Sequence, residues 1–335
     1  MLKSSLITLG KITVAGILLI WLQRSGQLDF AQLRLFREDM ALVAATLFYF
    51  IVGLVCMGTW RWKTLLEGAG YKITWRRAVT LQMTGFFFNS VMPGAVGGDI
   101  IKIAYVIRDN PGRSKAQVMM TALLDRIVGL AALFMVCWIM IVINLETVRE
   151  LKVFQSMLGL ITSVTVGFIV FFFAALYHYK GEDPFLKVFK WNVPGIKFVE
   201  KLYASLRAYR YARGSIILSL MISLCIQLTC LLLFYYITIK VSAIVPDFGK
   251  IAVIYPIGVT TTAIPITPAG LGVGHVAFDQ LFQMVGLDHG ANAFNLFALS
   301  QLFLNLTGII PYLTLKKIPK QEIDEVTRES DKVTV

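Results

Sequence analysis

The sequence predicts an all-α polytopic membrane protein, with six spanning helices and two re-entrant broken-helix hairpins in an inverted repeat. Three observations lead there. The 335-residue chain is 57% hydrophobic and 16% charged, and several apolar runs reach the ~20 residues that cross a bilayer as helix. Two other apolar regions are broken, at Asn89 to Ile100 and at Pro265 to His275. Backbone interrupted by proline and glycine cannot bond itself, and hydrocarbon supplies no water, so such stretches persist only inside protein or along a cavity. Finally, the basic residues gather in alternate loops, which sets a single orientation.

Taken in order, the spanning runs cover approximately residues 5–22, 40–59, 117–143, 157–178, 214–239 and 291–315. The first has the basic start and apolar stretch of a signal peptide, but no small-residue cleavage site follows, so it is read as a retained span. Arg61, Lys63, Lys72, Arg76 and Arg77 precede the first break, while Lys102, Arg108, Arg113 and Lys115 follow it. A crossing there would put one basic group outside, against the usual bias, whereas a hairpin entering and leaving from the cytoplasm does not. Only about eight residues separate Asp99 from Arg108, ~12 Å of helix, too short to span. The second break is flanked by Asp247, Lys250, Asp288 and His289, so its hairpin enters from outside. Residues 179–213 carry eight Lys or Arg and fall inside, together with both termini. Repeat one then covers about 5–143 with its hairpin at 76–107, and repeat two about 157–315 with its hairpin at 250–286. A single transmembrane domain, 1–315, is followed by a cytoplasmic tail, 316–335.

The formal charge of +12 would suggest nucleic acid in a soluble protein, but in loops between spans it points to anionic lipid at the cytoplasmic face. Cys56, Cys137, Cys225 and Cys230 lie in apolar runs without metal spacing and are expected as core thiols. Residues 195–213, with Val199, Leu202, Tyr203 and Leu206 beside Lys197, Lys201 and Arg207, form an interfacial amphipathic helix. Trp60, Trp62 and Trp75 are placed in an aromatic belt.

The breaks carry the chemistry. Paired interruptions in corresponding positions of two halves are the sequence sign of a transport site between them, and here Pro93 precedes Gly97 by four residues as Pro268 precedes Gly272. Packing of small residues is the plainer explanation. A helix restarting at Gly97, Gly98 and Asp99, or at Gly272, turns its free N–H groups and positive dipole end inward, where an anion such as phosphate fits. Asp99 either caps its helix or pairs with Lys102 or Arg126. Asp125 and Arg126 sit about ten residues into a span, where charge is costly and a functional role is the default. Arg126 either neutralises the aspartates or offers its planar fork to a phosphate, with Lys102 as second cation. His275 and Asp279 share a helix face and could hold a proton, although a histidine there also serves as a hydrogen-bonded packing residue. Asn89, Gly94, Thr267 and Gly270 complete the breaks. Thr260, Thr261 and Thr262 are expected to bond back to their own helix. Gln301 and Asn305, four apart, line the cavity or bond across helices.

The runs N-S-V-M-P-G-A-V-G-G-D-I-I-K from Asn89 to Lys102, L-D-R from Leu124 to Arg126 and P-I-T-P-A-G-L-G-V-G-H from Pro265 to His275 resemble the lysylphosphatidylglycerol synthase transmembrane-region family, the flippase-like domain. The resemblance covers nearly the whole chain. It implies an inner-membrane translocase for a phosphate-headed lipid, an aminoacyl phospholipid or a polyprenyl-phosphate sugar; neither a cofactor nor catalysis is expected. This chain departs from the family's usual residues in having Lys102 for an arginine and His275 for an acid. A lipid-modifying enzyme such as a polyprenyl-phosphate glycosyltransferase would need an acid/base pair or a metal-binding carboxylate cluster, and no D-x-D or H-E-x-x-H run occurs. An ion-coupled carrier of a small anion is the remaining alternative.

Overall fold

The computed structural model describes residues 30–91, 97–150, 152–179, 183–185, 196–242, 244–262, 272–316, 318 and 326–327. Among them every regular element is helical. We number the main helices α1 (Met40–Gly68), α2 (Trp75–Val91), α3 (Gly97–Asp109), α4 (Lys115–Ile143), α5 (Lys152–Leu176), α6 (Ile196–Ala208), α7 (Arg213–Val241), α8 (Phe248–Thr262), α9 (Val273–Met284) and α10 (Gly290–Thr314). Five of these helices, α1, α4, α5, α7 and α10, are long and apolar enough to cross a membrane. The predicted span at 5–22 lies outside the described residues. Outward-facing Ile51, Phe173, Leu232 and Ile310 are exposed, as lipid-facing positions must be where the solvent is hydrocarbon.

The start of α1 is set by Asp39, whose carboxylate accepts the Leu42 N–H at 3.0 Å and so meets one of the orphan amides of a first turn. Its stretch Tyr49–Met57 is π-helical, a local unwinding that usually has a packing or functional cause. Here Gly53 lets the Tyr49 ring and Thr229 of α7 approach closely. The helix does not stop near residue 59 as the charge pattern predicts. It continues to Gly68, so Arg61 and Lys63 belong to it rather than to a loop. Trp62 is 1% exposed, a core residue and not part of an aromatic belt, whereas Trp60 and Trp75 are exposed. Cys137 and Cys230 are the expected core thiols, but Cys56 and Cys225 face outward. The amphipathic segment forms as α6, with Leu202, Tyr203 and Leu206 buried. Val326, in the C-terminal tail, is packed into the core that holds Trp62 and Tyr105.

The broken regions form two antiparallel helix pairs. In α2 and α3, Arg77 pairs with Asp109 at 2.7 Å, Lys102 donates to Gln82 at 3.3 Å, and the Gly98 N–H donates to Asn89 Oδ1 at 2.8 Å. In α8 and α9, Lys250 Nζ donates to the Val285 carbonyl at 2.9 Å and Gly258 lies against the Phe278 ring. The element starts repeat too. Met40, Trp75, Gly97 and Lys115 are followed 173, 173, 176 and 175 residues later by Arg213, Phe248, Val273 and Gly290.

Contacts between elements show that the two pairs open at opposite ends of the bundle. Near the Arg77–Asp109 mouth, Tyr71 donates to the Ser114 carbonyl at 2.8 Å, Tyr209 to Leu65 at 2.7 Å, and Tyr105 to Lys316 at 3.0 Å. At the other end Asp39 pairs with Lys240 at 2.6 Å, and Gly249, next to the Lys250–Val285 mouth, lies against the Asn144 side chain. The first end holds Lys72, Arg76, Arg113 and Arg213, the second a mixture of both signs.

Close approach within the first pair depends on glycine. A Cβ on Gly98 would overlap the Gly85 carbonyl oxygen, which is backbone and cannot rotate away. Gly98→Ala is expected to separate the arms and to cost about 1–3 kcal/mol, the usual range for overpacking. A thermal unfolding midpoint in detergent equal to wild type would show that α2 and α3 are not held at this distance.

Candidate functional site

The charged residues named from sequence converge where α3 meets α4. Asp99, in the first turn of α3, is buried and pairs with Lys102 Nζ at 3.0 Å through Oδ1 and with Arg126 Nε at 2.6 Å through Oδ2. Both predicted pairings therefore form. Asp99 does not take the role of cap for Gly98, whose N–H is already met by Asn89. Lys102 reaches this position because Gly85 has no side chain: a Cβ there would stand 2.9 Å from Lys102 Cδ. Its ammonium also lies 4.7 Å from the Trp62 ring centroid, so an aromatic face and the Gln82 oxygen replace water around a buried cation.

Asp125 and Arg126, adjacent on α4, point to different partners. Arg61 grips Asp125 with both prongs of its guanidinium, Nε to Oδ1 at 2.7 Å and Nη2 to Oδ2 at 2.9 Å, and donates to Ser223 of α7 at 3.1 Å. A Cβ on Gly129 of α4 would come within 3.2 Å of Arg61 Nη1, so glycine again makes room for the long side chain. Arg61, Gln82, Trp62 and Ser223 are the residues that sequence reasoning missed. Of the three cations, Lys102 is 6% exposed in its side chain, Arg61 16% and Arg126 39%. Arg126 is the one within reach of a ligand from outside the protein core.

The second helix pair is built differently. Gly272, with φ 85°, takes a conformation that glycine tolerates, and turns its N–H toward His275 Nδ1 at 3.2 Å. The other ring nitrogen faces Asn295 Oδ1 at 3.4 Å, and the Asn295 amide donates to Gln32 at 3.0 Å. If Nδ1 accepts, Nε2 must carry the proton, which is the neutral imidazole. His275 is thereby a hydrogen-bonded packing residue. Asp279 accepts instead from Gln283 at 2.9 Å. Thr260, Thr261 and Thr262 bond back to the carbonyls of Ile257, Gly258 and Val259. On α10, Gln301 Nε2 and Asn305 Oδ1 are buried atoms without a hydrogen-bond partner among the described residues. They lie two turns and one turn along the helix from Gly308, which packs on Met83 of α2. Pro93, Gly94, Thr267, Pro268 and Gly270 fall outside the described residues.

A chain whose described elements are all helices, five of them long and apolar enough to cross a membrane, and whose buried ion groups sit between helices, is a multi-pass membrane protein. Within that class it belongs to the family described as the lysylphosphatidylglycerol synthase TM region, whose model matches residues 8–307. It is also similar to the UPF0104 membrane protein of Pyrococcus horikoshii, at 23% identity over 310 residues, covering 86% of this chain and 89% of that protein. No solved structure matches.

Proposed function

We propose that the chain is a lipid translocase, which carries a phosphate-headed membrane lipid between leaflets by alternating access and leaves it chemically unchanged. The observation that carries this reading is a surplus of positive charge beside the first helix pair. Among the described residues two carboxylates, Asp99 and Asp125, face three cations, Lys102, Arg126 and Arg61. Asp125 and Arg61 satisfy each other, so among the described residues a single carboxylate, Asp99, is shared by two cations, Lys102 and Arg126. At membrane depth such a charge is costly unless an anion meets it, and a lipid phosphate can bind the planar guanidinium in two-pronged fashion. Asp99 is then the resident anion that holds the cations when no lipid is bound. The family's description names a synthase of lysylphosphatidylglycerol, itself a phosphate-headed lipid. That chemistry agrees with the charge of the site.

The helix pairs opening at opposite ends are read as re-entrant hairpins of an inverted repeat, the arrangement in which one half rocks against the other around a midplane site. The buried amide atoms of Gln301 and Asn305 offer polar contacts on that path. With the strongly basic end in the cytoplasm, both termini lie inside, the membrane is the cell inner membrane, and anionic lipids gather at that face.

The test is reconstitution in liposomes. Fluorescent phosphatidylglycerol and a labelled polyprenyl phosphate are expected to exchange between leaflets faster than in vesicles holding an unrelated membrane protein. If neither does, the translocase reading fails. Uptake of soluble inorganic phosphate without lipid movement would establish the small-anion carrier instead, and a change in lipid mass would establish an enzyme.

A further inference from the structure

Away from the ion groups, an apolar groove of about 470 Å³ runs between α4, α5 and α6. Leu123, Ile127 and Leu130 of α4 form one wall, Gly167 and Phe171 of α5 another, and Phe198 of α6 part of a third. Specific contacts hold the helices together at either end. At one, Thr165 donates to the Phe134 carbonyl at 3.2 Å and the Phe134 and Phe168 ring centroids lie 5.9 Å apart, which pins α5 to α4. At the other, α6 wedges against α5, where the Tyr203 hydroxyl donates to Asp183 at 2.8 Å and lies 3.2 Å from the Ala174 carbonyl. Between these points a Cβ on Gly167 would meet nothing within 4 Å. Glycine leaves the slot open where any larger residue would start to fill it.

In a bilayer an apolar slot of this kind takes up hydrocarbon, because it presents no polar group to a headgroup or to water. The residue beside it says which hydrocarbon. Arg126 is not itself part of the groove lining, but it follows Leu123 by three positions and precedes Leu130 by four, one helical turn from each at the edge of that wall, and it is the most exposed cation of the ion group. A phosphate held there places the chain attached to it at the groove. We propose that the groove receives one hydrocarbon chain of the phosphate-headed lipid that Arg126 binds. This rests on the translocase reading and adds to it the course of the chain, which lies along α4, α5 and α6.

The test measures binding and needs no transport. Gly167→Trp fills the groove, while Gly159→Trp, on the same helix and also in open space but outside the groove lining, is the control. Vesicles of phosphatidylcholine carry either phosphatidylglycerol or diacylglycerol with a diazirine in the acyl chain, at equal mole fraction, and labelled peptides are mapped after illumination. Phosphatidylglycerol is expected to label residues 123–130 and 164–171 roughly tenfold more than diacylglycerol, the factor that ~1.4 kcal/mol of head-group affinity provides. Gly167→Trp and Arg126→Gln are each expected to remove that excess, and Gly159→Trp to keep it. Equal labelling by the two lipids, or an excess that survives Gly167→Trp, overturns the proposal, since the groove then merely borders bulk lipid. A protein that labels as expected yet moves no lipid refutes the translocase reading and leaves the chain site standing.

Discussion

Asp125→Ala is expected to prevent most of the protein from reaching a folded, monodisperse state. Without that carboxylate the Arg61 guanidinium, 16% exposed in its side chain, keeps, among the described residues, only the Ser223 hydroxyl at 3.1 Å as a hydrogen-bond partner. It is held between Gly129 of α4 and Ser223 of α7, which limits its access to water. Removing one member of a buried pair costs about 3–5 kcal/mol, set against a total stability of roughly 5–15 kcal/mol for an ordinary domain. The pair itself need not stabilise the fold by that amount: desolvation of both ions offsets most of their attraction. Replacing both members with leucine is therefore expected to recover much of the loss, since well-packed apolar residues often substitute for a buried pair at no net cost. Size-exclusion profiles and thermal midpoints in detergent distinguish these cases. An Asp125→Ala protein that elutes and melts like wild type would mean that Arg61 finds another anion or water.

That pair also marks where sequence reasoning stopped short. The helix breaks were legible because proline and glycine act locally, and loop charge was enough to predict that the two broken regions open at opposite ends. Pairing between Arg61 and Asp125 was not legible, because they lie 64 residues apart and the first arginine after an apolar run looks like a span's end. The helix runs on because that arginine turns inward to a carboxylate. Trp62 misled for the same reason: a tryptophan at a span's end suits the interface, but this one covers a lysine ammonium. Asp99 was ambiguous between cap and ion partner since both use the same oxygens. The choice fell to Asn89, nine residues before Gly98, which took the Gly98 amide. His275 could be placed on the helix face it shares with Asp279, but its ring bonds could not, because they depend on Asn295 of α10 and on Gln32. Outward-facing Cys56 and Cys225 show the limit of reading burial from hydropathy in a membrane, where both surfaces of a span are apolar.

Arg126→Ala is expected to do the reverse of Asp125→Ala, leaving the fold nearly intact and removing most lipid movement. Asp99 retains Lys102 at 3.0 Å when Arg126 is lost, so no buried carboxylate is left unpaired, and the arginine is more than a third exposed already. What disappears is the surplus charge and the planar donor fork. Charge-assisted hydrogen bonds contribute roughly 1.5–3 kcal/mol, which corresponds to about a 10- to 150-fold lower transport rate at limiting lipid. Arg126→Lys restores the charge without the fork and is expected to fall between the two, because an ammonium binds phosphate as a point charge. Asp99→Asn separates this from a general need for positive charge. It removes the anion that competes with the lipid, so phosphatidylglycerol binding to the folded fraction should tighten even as stability falls. Should Arg126→Ala lower the thermal midpoint and the transport rate in proportion, or leave transport untouched, then Arg126 serves only to neutralise Asp99, and the lipid phosphate is bound elsewhere.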